Sequence, residues 1–266
     1  MYAFDYHKPR SLAEAADLLS AHPEARLLAG GMTLLPTLKQ RLAGPSDLID
    51  LAGMPDLAGI QVTDSEIRIG AMTTHAAVAH SAEIGAKLPA LAALAEGIGD
   101  PQVRHRGTIG GSISNADPAA DYPAAVLGLG ATVVTDRREI AADDFFTAMF
   151  ETALEPGEIV RQVRFPVPLK AGYGKFPNPA SRYAVVGVFV AQTTSGVRVA
   201  ITGAGPSAFR VPEMEAALTA TFTSDAIAGI SVPADDLNSD PHATADYRAH
   251  LIGVMTARAV TYALEH

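Results

Sequence analysis

No cysteine occurs among the 266 residues, which excludes disulfides, a thiolate zinc site, a cysteinyl-linked flavin and a thiolate-held iron–sulfur cluster within this chain. Basic clusters are missing too. With 20 Lys and Arg against 29 Asp and Glu, no positive stripe is available to grip a phosphate backbone, and nucleic acid is not an expected partner. No apolar run is long enough to span a bilayer, and the start, MYAFDYHKPRSLAEAADLL, lacks the basic, apolar, small-residue order of a secretory signal. The expectation is a soluble, cytoplasmic protein without a transmembrane segment. The 8 histidines show no HxxxH or HExxH spacing, so no metal site is expected.

What is present is a globular composition, 48% apolar and 18% charged, sufficient for one or two ordinary cores. Ser11-Leu12-Ala13-Glu14 fits a capping box, and Leu12, Ala15, Leu18 and Leu19 recur at helical spacing until Pro23. This predicts a helix as the first element. A short strand over Arg26–Ala29, a Gly30-Gly31 turn, a helix over Leu34–Leu42 and a strand over Asp47–Leu51 then make a β-α-β unit.

From Ile60 the pattern changes. Ile60 and Val62, then Ile67 and Ile69, alternate across Asp64-Ser65 and predict an antiparallel hairpin. A helix over Leu88–Gly97, an extended Gln102–Ile109, a glycine-rich turn, a helix over Pro123–Leu129 and strands at Ala131–Thr135 and Ile159–Phe165 follow. Pro166, Pro168, Gly172, Gly174, Pro177 and Pro179 crowd the next stretch and read as a linker. Beyond it, strands Tyr183–Thr194 and Val197–Gly203 pair across Ser195-Gly196, followed by helices near Val211–Ala220 and Asp246–Leu264. The predicted class is α+β in three parts: residues 1–56, 57–169 and 170–266.

Two glycine pairs stand out. In ARLLAGGMTLLPTLKQRL, Gly30-Gly31 sits between strand and helix, where backbone can approach an anion and a helix N-terminus offers free N–H groups, with Thr33 adding a hydroxyl. A plain strand-to-helix turn uses glycine for steric reasons as well. The segment RGTIGGSISNADPAADYP repeats the device with Thr108, Gly110-Gly111, Ser112 and two aspartates. Two opposed loops can supply donors to a diphosphate from several directions without clustered Lys or Arg. Neither matches GxGxxG or GxxxxGK[ST], which disfavours a Rossmann fold and a P-loop.

The segments AGGMTLLPTLKQRLA, IGDPQVRHRGTIGGSISNADPAADYPAAVLGLGA, PASRYAVVGVFVA and ADYRAHLIGVMTARAV together resemble the FAD-binding medium subunits of the carbon monoxide dehydrogenase and xanthine dehydrogenase family of molybdenum hydroxylases. The resemblance runs through nearly the whole chain. It implies an FAD-binding fold of two α+β subdomains with FAD between them, followed by a small C-terminal domain with an antiparallel sheet and helices. It also implies partners: an iron–sulfur small subunit holding [2Fe-2S] clusters and a large subunit holding the molybdenum cofactor. Electrons would pass from the clusters through FAD to an external acceptor, with no catalytic residue beyond the flavin.

Carried over by position, Ala29, Gly30, Gly31, Met32, Thr33 and Leu34 match the family's first diphosphate loop, and Thr108, Ile109, Gly110, Gly111 and Ser112 match the second. Asp121 matches an aspartate that bonds the adenosine side of FAD; its other reading is a helix N-cap before Tyr122-Pro123. Tyr183 matches an aromatic beside the isoalloxazine ring in some relatives, and also fits an ordinary strand aromatic at a domain boundary. His75, in a Thr-Thr-His common in the family, is a further cofactor contact. Met32, where relatives often carry a polar residue, and Ser181-Arg182, where charged residues are frequent, are departures. Two other functions share this fold: a self-contained flavin oxidoreductase and a cofactor-free assembly protein.

Overall fold

A computed structural model describes all residues from Met1 to His266. The first unit is a three-stranded parallel sheet of β1 (Asp5–His7), β2 (Arg26–Leu28) and β3 (Asp47–Asp50), in the order β1-β3-β2. Parallel neighbours need crossovers, and α1 (Leu12–Ala21) and α2 (Leu34–Lys39) supply them. At the start of α1, Ser11 Oγ accepts from Glu14 N at 3.2 Å, while Glu14 Oε2 accepts from Arg10 N at 2.7 Å. The helix is therefore the second element rather than the first. Strand β1 has no apolar alternation, since DYH is an edge held to β3 by backbone bonds.

After a 3₁₀ turn at Pro55–Leu57, the second unit opens with the expected hairpin, β4 (Ile60–Val62) and β5 (Glu66–Gly70). Helices α3 (His75–Ala79), α4 (Ala82–Lys87), α5 (Pro89–Glu96), α6 (Pro101–Arg106), α7 (Ile109–Asn115) and α8 (Tyr122–Gly128) follow. The chain then forms β6 (Thr132–Thr135), β7 (Glu139–Ala141), α9 (Ala142–Phe145), β8 (Phe146–Ala148), β9 (Glu151–Thr152) and β10 (Val160–Pro166). The antiparallel sheet runs β4-β5-β10-β6-β7.

Residues 102–109 are not extended. Asp100 caps α6 by accepting from Val103 N at 2.9 Å, Pro101 occupies the first turn, and Arg104, His105 and Arg106 lie in the last turn, where cations complement the helix dipole. With Val103 its only aliphatic branched residue, α6 has no apolar period to read. The second glycine pair is likewise not a turn. Thr108 Oγ1 accepts from Gly111 N at 3.1 Å and caps α7, which places both glycines in its first turn.

The third unit is an antiparallel sheet of β11 (Lys170–Pro177), β12 (Ala184–Thr193), β13 (Gly196–Thr202) and β14 (Phe209–Arg210), joined by α10 (Pro212–Ala220), a 3₁₀ turn at Ser224–Ile227 and α11 (Ala245–Glu265). The expected linker after Pro168 is thus strand β11. Its glycines serve packing, because a Cβ on Gly172 would overlap the Ala259 carbonyl of α11 and one on Gly174 would overlap that of Met255. Leu251, Met255, Ala259 and Ala263, four apart, form the buried face that α11 lays on this sheet.

Helix α8 is buried along its whole length, and its contacts join the second and third units. Phe189, Ala191 and Ala200 of the third sheet share one core with Ile67, Val163 and Val126 of the second. A Cβ on Gly128 would stand 3.0 Å from the Phe189 ring. No helix is long and apolar enough to cross a membrane.

Candidate functional site

A cleft of about 1170 Å³ runs between the first and second units and is closed on a third side by Ser181, Arg182 and Tyr183. It exceeds the ~300–1,000 Å³ usual for small-molecule pockets and calls for an extended ligand. Ala29 through Leu34, His75, Thr108, Gly110, Gly111, Ser112, Asp121 and Tyr183 all line it. Ile109 does not: its side chain is fully buried in the core, and its N–H donates to Thr73 O at 3.1 Å.

The two glycine pairs do different work. The N–H groups of Ala29, Gly30, Gly31, Met32 and Thr33 donate to no acceptor within the chain. Gly31, at φ +73°, bends this run into a left-handed turn that any side chain would strain. Consecutive unspent amides on such a bend form an anion-binding concavity.

In the second motif the donors are already used. Gly110 N donates to Ala71 O at 2.9 Å, Gly111 N to Thr108 Oγ1 at 3.1 Å and Ser112 N to Thr108 O at 3.0 Å. Its glycines act by lacking side chains. A Cβ on Gly110 would lie 2.5 Å from Ala71 Cβ, whereas Gly111 faces Ala29 across the cleft, where a Cβ would lie 3.4 Å from Ala29 Cβ.

Asp121 is buried at the start of α8, in helical conformation and without a capping bond. Asp121 thus stands at the N-cap position, as the alternative reading has it, but its side chain does not cap the helix. Its carboxylate accepts from Tyr173 Oη at 2.5 Å, with Lys175 Nζ at 2.8 and 3.0 Å from its two oxygens, both partners coming from β11. Burial pushes the Asp121 carboxyl upward, against the opposing pull of the Lys175 ammonium and the Tyr173 hydroxyl. An ionised carboxylate has about four lone-pair sites, so acceptor capacity remains.

His75 is the first residue of α3, buried, and packed 5.4 Å from the Tyr122 ring. Burial, then the nearby Arg104 charge, lowers its pKa to about 4, so it is neutral at pH 7. Its Nδ1 and the Tyr122 hydroxyl have no partner within the chain. Tyr183 is 41% exposed at the cleft mouth. Burial of its hydroxyl and the neighbouring Asp117 charge raise its pKa.

Met72, Arg137 and Phe150 also line the cleft and were not anticipated. Phe150 is an exposed aromatic at φ +57° whose N–H donates at 3.1 Å to the carbonyl of Ala116, itself at φ +46°. Two left-handed non-glycine residues bonded together mark a constrained rim. No glycine or turn motif advertises it.

An open run of unspent amides, opposed by a surface kept bare by glycine, fits the diphosphate of a dinucleotide, and the class these features define is a dinucleotide-binding protein. Residues 2–168 match the family described as the FAD binding domain in molybdopterin dehydrogenase. The chain is 36% identical to the nicotine 6-hydroxylase medium subunit of Paenarthrobacter nicotinovorans, over 98% of this chain and 97% of the relative. It is 37% identical to the carbon monoxide dehydrogenase medium chain of Hydrogenophaga pseudoflava, over 98% and 96%. The solved carbon monoxide dehydrogenase from Oligotropha carboxidovorans superposes with a TM-score of 0.89 at 35% identity, covering 98% of each chain. The chain belongs to the family of FAD-binding medium subunits of molybdenum hydroxylases, and is an oxidoreductase subunit.

Proposed function

We propose that this cleft holds FAD and makes the chain the electron-transfer link between an iron–sulfur small subunit, fed by a molybdenum-cofactor large subunit, and an external acceptor in the cytoplasm. The unspent amides of Gly30 to Thr33 carry this reading. They would hold the diphosphate, with Thr108 and the bare backbone of Gly110 and Gly111 on the opposite wall. Asp121 would accept from an adenosine-side hydroxyl with the capacity that Lys175 and Tyr173 leave. Bound FAD supplies the ability to take electrons singly and release one or two.

The chain's own part is placement and screening. Tyr183, half-open at the cleft mouth, limits solvent access to whatever lies beneath it. Neutral His75 offers a hydrogen-bonding nitrogen without adding a charge. The divisions that serve this role are 1–56 and 57–169, whose facing walls make the cleft, and 170–266, which supplies Tyr183 and the Asp121 partners.

The test compares the FAD-loaded chain alone with the three-subunit complex, each offered carbon monoxide, an aldehyde or an N-heterocycle plus an acceptor dye. Turnover by the complex and none by the chain supports the reading. Turnover by the isolated chain would make it a self-contained oxidoreductase.

A further inference from the structure

Away from the cleft floor, the first unit brings together three side chains that no sequence spacing joins. His7 ends β1, His22 is the C-cap of α1, and Asp47 opens β3. His7 Nε2 lies 2.6 Å from Asp47 Oδ1, and His22 Nδ1 lies 3.2 Å from Asp47 Oδ2. Their ligand atoms all fall within 4.8 Å of one another. The two imidazole centroids are 5.5 Å apart, and the Asp47 carboxylate is 4% exposed while His7 and His22 remain reachable from solvent at 28% and 40%.

The geometry points to a binding site for a single borderline divalent transition-metal ion, zinc above all, held by His7, His22 and Asp47. Two imidazole nitrogens and one carboxylate are a known three-ligand zinc set with the fourth position left to water. Tetrahedral bonds of about 2.0–2.1 Å place donors about 3.3 Å apart, so the present spacings need only small side-chain rotations to admit an ion. The backbone already fixes the donors. Asp47 stands opposite Asp5 in the parallel β1–β3 register, and His22 is tied by its N–H to Leu18 O at 2.9 Å. A metal here would clamp the end of α1 to the sheet. Residues next to it, Leu19, Ser20 and Pro23, form part of the cleft wall.

The alternative is a hydrogen-bonded triad in which each imidazole donates a proton to one carboxylate oxygen. A metal set and a triad share residues but differ in what replaces those protons. The test titrates the full chain, freed of metal with a chelator, with cobalt(II) followed by visible absorption and with zinc against a chromophoric chelator. His22→Ala, His7→Gln and His250→Ala, the last on α11, are compared, with circular dichroism reporting folding. One equivalent of zinc, nitrogen-ligated cobalt bands, and affinity losses in both His22→Ala and His7→Gln larger than the ~10–100-fold typical of an outer partner support the site. His250→Ala should bind like the parent. No binding at one equivalent by the parent chain, or unchanged affinity in folded His22→Ala and His7→Gln, would leave a hydrogen-bonded triad only.

Discussion

Gly30 and Arg106 touch where no side chain would fit: a Cβ on Gly30 would overlap the Arg106 carbonyl oxygen and lie 2.8 Å from Gly107 Cα. The first loop thus rests directly on the turn between α6 and α7, and this contact sets the width of the cleft between the first two units. Gly30→Ala should cost about 1–3 kcal/mol, the usual penalty of overpacking, and should weaken FAD binding as well. Urea denaturation with and without FAD checks both effects.

Gly111 tests the opposite wall. A Cβ there meets only Thr108 Oγ1 at 3.0 Å and Ala29 Cβ at 3.4 Å, with no backbone atom in the way, and Gly111 lines the cleft, so a larger side chain should occupy ligand space rather than the core. Gly111→Leu is expected to fold yet purify without flavin. Normal flavin absorbance in that variant would remove the loop assignment.

Lys175 and Asp121 form an ion pair with side chains 11% and 4% exposed, joining β11 to α8. Lys175→Met leaves a buried carboxylate without its cation, and should destabilise the chain by about 3–5 kcal/mol. Combining it with Asp121→Asn should recover part of that loss, which a double-mutant cycle measures directly.

His75 and Glu158 set an acid limit. The His75 pKa lies at about 4 in the folded chain, below its ordinary 6.5. The unfolded chain therefore binds the extra proton first, and stability falls as pH drops from 6.5 toward 4. Glu158, held to about 2 from 4.5 chiefly by Arg138, adds stability that is present above 4.5 and lost as pH falls through 2. Denaturation midpoints between pH 7 and 4 should decline in the parent chain and flatten in His75→Gln.

The sequence exposed the parts whose signal is local. The periodic apolar residues of α1, the alternation of β4 and β5 and both glycine pairs could be read from neighbours alone. Strand β1 could not, because a polar edge is defined by its partner, while α6 has no apolar period and shows itself in sequence only through the cap pair Asp100-Pro101. Gly172 and Gly174 look like linker glycines until α11 is laid over them. The two glycine pairs are alike in sequence, yet only the first keeps its amides unspent, a difference created by Ala71, Thr73 and Thr108 accepting from the second. Asp121 shows the same limit, since its partners Tyr173 and Lys175 are more than fifty residues away.

The most direct measurement is titration of the purified chain with FAD, followed by visible absorption and identification of the released nucleotide. Saturation at one FAD per chain, with that binding lost in Gly111→Leu, is the expected result. Failure of the folded chain to bind FAD, alone and with its partner subunits, would contradict it.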